Sequence, residues 1–236
     1  MKKYILRLWN YFSFFEKMLW GCSMLMIGTS FIVFKGSGVL SMITSLIGAT
    51  SLILCAKGNP AGQAVIVVFS LLYGIISYSF SYYGEMLTYM GMTVPMAVIS
   101  LIIWLKNPSE ESRTQVRIRR ASVSEAAIIF LIAIPITVIF YFILKAWGTQ
   151  NLIPSTLSVT TSALAVAFTA RRCALYAAAY ALNDGVLLVL WTMASFHNSS
   201  YIPLVTCFAV FLVNDIYSYY NWNRLLKAQC ENRISV

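Results

Sequence analysis

The chain has 236 residues, 59% hydrophobic and 11% charged, with a mean hydropathy of +0.75. About a quarter of a soluble domain is charged, so this composition excludes one and points to an integral membrane protein. Its 17 Lys and Arg against 8 Asp and Glu give a net charge of +9, which reads as a topology signal and not as a nucleic-acid surface.

Eight apolar runs are long enough for a helix to cross a hydrocarbon core about 30 Å thick. They are predicted over residues 18-36, 38-56, 61-81, 85-105, 125-145, 151-170, 173-196 and 201-222. The first follows a basic stretch, but it begins too late and lacks the cleavage site of a signal peptide. Between the fourth and fifth, KNPSEESRTQVRIRRASVSE divides the protein near its midpoint, as a loop over 106-124. Within it, Ser122 and Glu125 have the capping-box spacing that opens a helix. Residues 223-236 are left as a tail. Little chain remains for a soluble domain, so any ligand site must lie inside the bundle.

Threaded through eight spans, only Lys35 and Lys145 of the 17 basic residues fall on one side. The crowded side is expected to be cytoplasmic, with both termini inside. Cys22, Cys55, Cys173, Cys207 and Cys230 show neither disulfide nor zinc spacing. His197 stands alone in an outer loop. No Walker loop, HExxH or Ser/His/Asp arrangement is present, so neither enzymatic activity, a metal nor a cofactor is expected.

The two halves correspond faintly. The fourth span ends in ISLIIWLKN and the eighth in IYSYYNWNRL, while the second and sixth run into LCAKG and FTARR. Pairing them gives parallel three-helix repeats over 38-105 and 151-222, a linker helix at 125-145 and an extra helix at 18-36. Trp and Lys anchoring at one membrane interface would produce the same likeness without a repeat.

Two Asn-Asp pairs interrupt the last spans, Asn183-Asp184 in ALNDGVLLVLW and Asn214-Asp215 in FLVNDIYSYY. Asp184 is 12 residues from Arg172 and Asn214 is 10 from Arg224, about 18 and 15 Å along a helix. Both pairs therefore lie near the midplane, where an Asp costs about 2.5-3.5 kcal/mol unless it faces a cavity or a partner. A turn at NDG would leave pieces too short to cross, so the helix continues. Helical spacing puts Tyr180, Asp184 and Trp191 on one face, and Asn214 and Tyr217 on another beside Asp215. With Tyr73 from the third span, the predicted substrate-binding set is Tyr73, Tyr180, Asn183, Asp184, Trp191, Asn214, Asp215 and Tyr217. Aromatic rings beside polar groups suit a flat heterocycle bearing hydroxyls. The competing use is interhelical hydrogen bonding, with Trp222 as an interface anchor. Glu85, in YYGE, is expected as an exposed acid at the outer start of its helix.

CAKGNPAGQ leading into FSLLYGIISYSF, then YYGEML, IIWLKN, TARR, ALNDGVLLVLW and FLVNDIYSYYNWNRLLKAQ resemble, in order and spacing, the PnuC nicotinamide riboside transporters. The resemblance implies a SWEET-like all-α fold, two parallel three-helix bundles joined by a linker helix. It also implies facilitated diffusion of nicotinamide riboside, a precursor of NAD, by alternating access. A cytoplasmic kinase would trap the substrate by phosphorylation without necessary direct contact. The family's substrate motif has a Trp four residues before an Asn, whereas here Ala179 precedes Asn183; Tyr180 and Asp184 keep the spacing with other residue types. Thiamine, riboflavin and deoxynucleosides stay open as substrates, as does a non-transporting membrane sensor or scaffold. The expected partners are a small-molecule substrate and the lipid bilayer, with homo-oligomerisation open and no nucleic acid.

Overall fold

Ser13 opens the first helix: its hydroxyl accepts from the Glu16 amide while the Glu16 carboxylate accepts from the Ser13 amide, a reciprocal capping box. The computed structural model describes residues 11-36, 38-110 and 112-234, which form eight long helices and no strand beyond two isolated bridges. They are α1 (Phe14–Val33), α2 (Val39–Ala56), α3 (Pro60–Ser79), α4 (Tyr83–Lys106), α5 (Val123–Ala146), α6 (Leu152–Ala170), α7 (Leu175–His197) and α8 (Ile202–Ile234). Among them, α2 to α8 are long and apolar enough to cross a membrane. The 20-residue α1 has the length, but Glu16 and Lys17 in its first turn dilute its apolarity.

Two boundaries differ from the sequence expectation. The Ser13 cap starts α1 ahead of residue 18, and α8 continues past residue 222 to Ile234. Residues expected as a tail are thus helical, and Leu226 and Gln229 on them are buried. Lys2, Lys3 and Arg7, counted above for topology, lie outside the described residues.

α2, α3 and α4 pack in sequence, as do α6, α7 and α8, and the two groups meet through α2 with α8 and α4 with α6. Helix α1 rests on α2 and α8, and α5 on α6. Of the 24 residues of α5 only Ala133 and Leu144 are buried, so nearly its whole apolar surface is left for lipid.

The basic segments meet on one face. The 107-121 loop is tied to the α2-α3 turn by Val116 N to Gly58 O (2.9 Å), and to the α6-α7 turn by Arg119 N to Arg172 O (2.9 Å). Gln229 of α8 holds it from a third side, accepting from Ile118 N at 2.9 Å and donating to Val116 O at 3.2 Å. Lys57 bridges to Glu16 at 2.9 Å, bringing the start of α1 to the same face.

Candidate functional site

The interior has two apolar cores, and the polar residues of the last spans lie between them. Toward the face away from the basic loops, Trp191 is fully buried among Tyr73, Tyr82, Phe80 and Tyr201, and its indole N–H donates to the Tyr73 hydroxyl at 2.9 Å. Toward the basic face, Trp222 packs edge-to-face against Tyr176 and at a tilt against Trp104, with ring centroids 4.6 and 5.3 Å apart. Its N–H donates to Cys55 O at 2.8 Å. Trp222 is therefore not the interface anchor expected from sequence: it is 0% exposed and closes one end of the bundle.

Between these aromatic plugs is a small cavity lined by Phe69 and Ser70 of α3, Tyr89 and Thr93 of α4, Tyr180 and Asp184 of α7, and Phe211 and Asp215 of α8. Its open volume is ≈ 40 Å³, room for about two water molecules. The Asp184 and Asp215 carboxyls both line this cavity and lie close enough to each other to interact. One oxygen of each, Asp184 Oδ2 and Asp215 Oδ1, is buried without a partner, as is the Ser70 hydroxyl. Buried polar atoms in that condition are costly, and Asn183 Nδ2, Asn214 Oδ1 and Glu85 Oε1 share it away from the cavity lining.

The amides that precede these carboxyls face elsewhere. Asn183 Oδ1 accepts from Thr161 (2.8 Å) and Ser162 (3.0 Å) of α6, with the Ser158 hydroxyl at 3.4 Å. Asn214 Nδ2 donates to Ser23 of α1 at 3.1 Å and to Val210 O at 2.8 Å. Tyr217 lies toward the basic face, donating to Glu16 at 3.0 Å. Of the eight residues selected from sequence, the cavity thus gathers Tyr180, Asp184 and Asp215; Tyr73 and Trp191 form one plug, and Asn183, Asn214 and Tyr217 join helices.

Three features escaped the sequence reading. Glu85, expected on the outer surface, is 0% exposed, with Oε2 accepting from Ser158 at 3.1 Å. It is carried inward because Gly84 lets α4 approach α6: a Cβ there would lie 2.8 Å from the Ser155 Cβ. Residues Leu87–Thr93 of α4 are π-helical, a form frequent at functional sites, and they present Tyr89 and Thr93 to the cavity. Gly91, followed by Pro95, was the available signal. Thirdly, the ring wall depends on Gly48 of α2, where a Cβ would meet Phe211 Cζ at 2.3 Å and Phe69 Cε2 at 2.9 Å.

A family model described as nicotinamide mononucleotide transporter matches residues 38-224. This chain belongs to that family. Its relatives include the nicotinamide riboside transporter PnuC of Neisseria mucosa, 23% identical over 93% of this chain and 83% of the relative. The PnuC of Haemophilus influenzae is 22% identical over 80% of each chain. A crystal structure of the vitamin B3 transporter PnuC shares the fold, with a TM-score of 0.82 over 92% of this chain and 94% of that one at 21% identity. The chain is thus a multi-pass membrane transporter, and its small mid-bundle cavity is walled mainly by apolar and aromatic side chains with two carboxyls among them.

Proposed function

We propose that this transporter imports nicotinamide riboside by facilitated diffusion and alternating access around the central cavity. The observation that carries the reading is the carboxyl pair Asp184 and Asp215, with unpartnered oxygens in a space walled by Phe69, Tyr89, Tyr180 and Phe211. Nicotinamide riboside is a flat pyridinium cation carrying ribose hydroxyls: the rings stack on the cation, and the carboxyl oxygens accept from the hydroxyls and balance the charge. The names of the relatives support the same substrate. Because the open space is far below the volume of a nucleoside, the two tryptophan plugs must part in turn to admit and release it. Tyr180, Asp184 and Asp215 contact the substrate; Tyr73 and Trp191 close one end; Asn183, Asn214 and Tyr217 hold the helices that move.

The moving units are the helices within 38-105 and 151-222, with 125-145 as the lipid-facing linker. The charge asymmetry supports a cytoplasmic basic face with both termini on it, in a bacterial inner membrane. Once inside, the riboside is retained by a kinase that phosphorylates it.

A thermal-shift measurement on the purified protein tests this. Nicotinamide riboside at about 100 times its Kd adds about 2.7 kcal/mol to the folded state, while the reduced, uncharged dihydro form adds much less. A shift with thiamine and none with nicotinamide riboside would change the substrate and keep the cation site. Equal shifts for the charged and uncharged forms would remove the carboxyl pair from recognition.

A further inference from the structure

On the basic face a second cavity, separate from the central one, is bounded by Arg117, Arg119, Arg120 and Arg172, with Asn107 and Gln229 beside them; its volume is ≈ 390 Å³. An adjoining space of ≈ 300 Å³ shares Arg119 and Arg120 and extends to Lys227. We propose that this arginine pocket binds a phosphate-bearing anion and that the bound anion restrains transport. Three observations converge. Arg172 adopts φ 58°, a left-handed conformation unfavourable for a residue with a Cβ; the turn is fixed by Arg172 N to Thr169 O (3.0 Å) and Arg119 N to Arg172 O (2.9 Å). The Arg172 Nη1 atom is buried without a hydrogen-bond partner, so a donor is held out of water with no acceptor. Burial and the charges of Arg119, Arg117 and Arg171 pull the Arg172 guanidinium below its usual pKa, the mark of a site short of negative charge.

Neighbouring side chains do not fill the need. Glu125 is engaged by Arg171, with Arg119 at 4.0 Å. The Gln229 amide is spent on the Ile118 and Val116 backbone. A phosphate offers several acceptor oxygens, which suits several converging guanidiniums better than a halide or a single carboxylate. Its source is either a free phosphate ester or the headgroup of an anionic lipid. The position gives binding a consequence. The pocket joins the 107-121 loop, the α6-α7 turn and the last turns of α8, and α7, which carries Asp184, begins at Leu175 immediately after the turn. An anion bridging these three elements ties together helices that must shift if the central site is to open. The restraint rests on the transport reading; the binding does not.

The test uses the full-length protein purified in detergent, titrated with inorganic phosphate against chloride at matched ionic strength and followed by melting temperature. Saturable stabilisation is expected, weakened about tenfold or more in Arg172→Gln and in the loop variant Arg120→Gln. In parallel, nanodiscs of phosphatidylcholine are compared with nanodiscs containing phosphatidylglycerol. Arginine-dependent stabilisation by phosphate in detergent assigns a free phosphate ester; stabilisation by phosphatidylglycerol alone assigns a lipid headgroup. No arginine-dependent response to either overturns the proposal. Each variant is also titrated with nicotinamide riboside: a normal response shows the fold is intact, and absence of that response in the unmodified protein sinks the substrate reading while leaving the phosphate result standing. In proteoliposomes, phosphate trapped on the basic side should slow uptake in the unmodified protein and not in Arg120→Gln; equal slowing in both would dismiss the restraint.

Discussion

The same dipeptide, Asn-Asp, occurs within the membrane-crossing helices α7 and α8, and the two residues of each pair make different contacts. Asn183 uses its carbonyl to gather the hydroxyls of α6, while Asn214 uses its amide nitrogen to reach Ser23 on α1. The amides therefore point outward from the α7-α8 contact, one accepting and the other donating. The carboxyls of Asp184 and Asp215 turn toward each other and toward the cavity. Adjacent residues on a helix are separated by about 100°, so a two-residue polar motif serves two neighbours at once. Each amide satisfies one of its two polar atoms against a neighbouring helix and leaves the other, Asn183 Nδ2 or Asn214 Oδ1, unpartnered, whereas a carboxylate needs a cation or a proton. Chemistry divides the labour between a joint that fastens helices and a carboxyl pair that faces the cavity.

The widest separation of these roles is expected in paired variants. Asp184→Ala should reduce uptake of labelled nicotinamide riboside in proteoliposomes to background while the protein still folds, because the pair then loses one of its two carboxyls and the arrangement that faces the ring. Wild-type uptake in that variant would assign Asp184 to packing. Gly48→Val should come next: its side chain occupies the place of the Phe211 and Phe69 ring edges and drives them into the cavity, raising the half-saturation concentration about tenfold or more. Unchanged affinity would show that these rings do not bound the substrate. A smaller change is expected for Asn214→Ala, which removes the donor to Ser23 and Val210 O. It should cost about 1-2 kcal/mol of stability, with uptake per folded molecule preserved. Loss of uptake at full stability would move Asn214 from joint to site and break the division drawn above.

How legible this was in the sequence depended on what each residue has to report. The order of the spans and the one-sided charge come from length and composition, which a membrane imposes strongly. Which face of a helix points inward does not, because lipid tails are as apolar as a core; Trp222 could be read as an interface anchor for that reason alone. Asp184 and Asp215 stood out because charge is expensive at their depth. Glu85 did not, since its position at a helix start has an ordinary exposed explanation, and only the Gly84 approach to α6 draws it inside. The π-helical stretch carrying Tyr89 was marked only by Gly91 and Pro95, since its wider turn leaves no periodic trace over seven residues.

Glu16 sharpens the comparison from a third carboxyl, one that already has its cation. It lies ahead of the apolar run beginning at Met18, bridged to Lys57 at 2.9 Å and accepting from Tyr217 at 3.0 Å. Burial pushes its pKa up, but the Ser13 amide, Lys57 and the Tyr217 hydroxyl outweigh that and hold it below the usual carboxylate range. With the folded value depressed, its contribution is present above the unfolded carboxylate pKa of about 4.3 and is lost as pH falls through the folded value. Glu16→Gln should therefore lower the melting temperature by a few degrees near pH 7, about 1-2 kcal/mol. The difference from the unmodified protein should narrow below about pH 4. Uptake per folded molecule should stay unchanged, because this carboxylate fastens α1 to α2 and α8 and has no oxygen turned toward the cavity. A gap in melting temperature that persisted undiminished at low pH would show that the pair's charge is not what holds α1 in place.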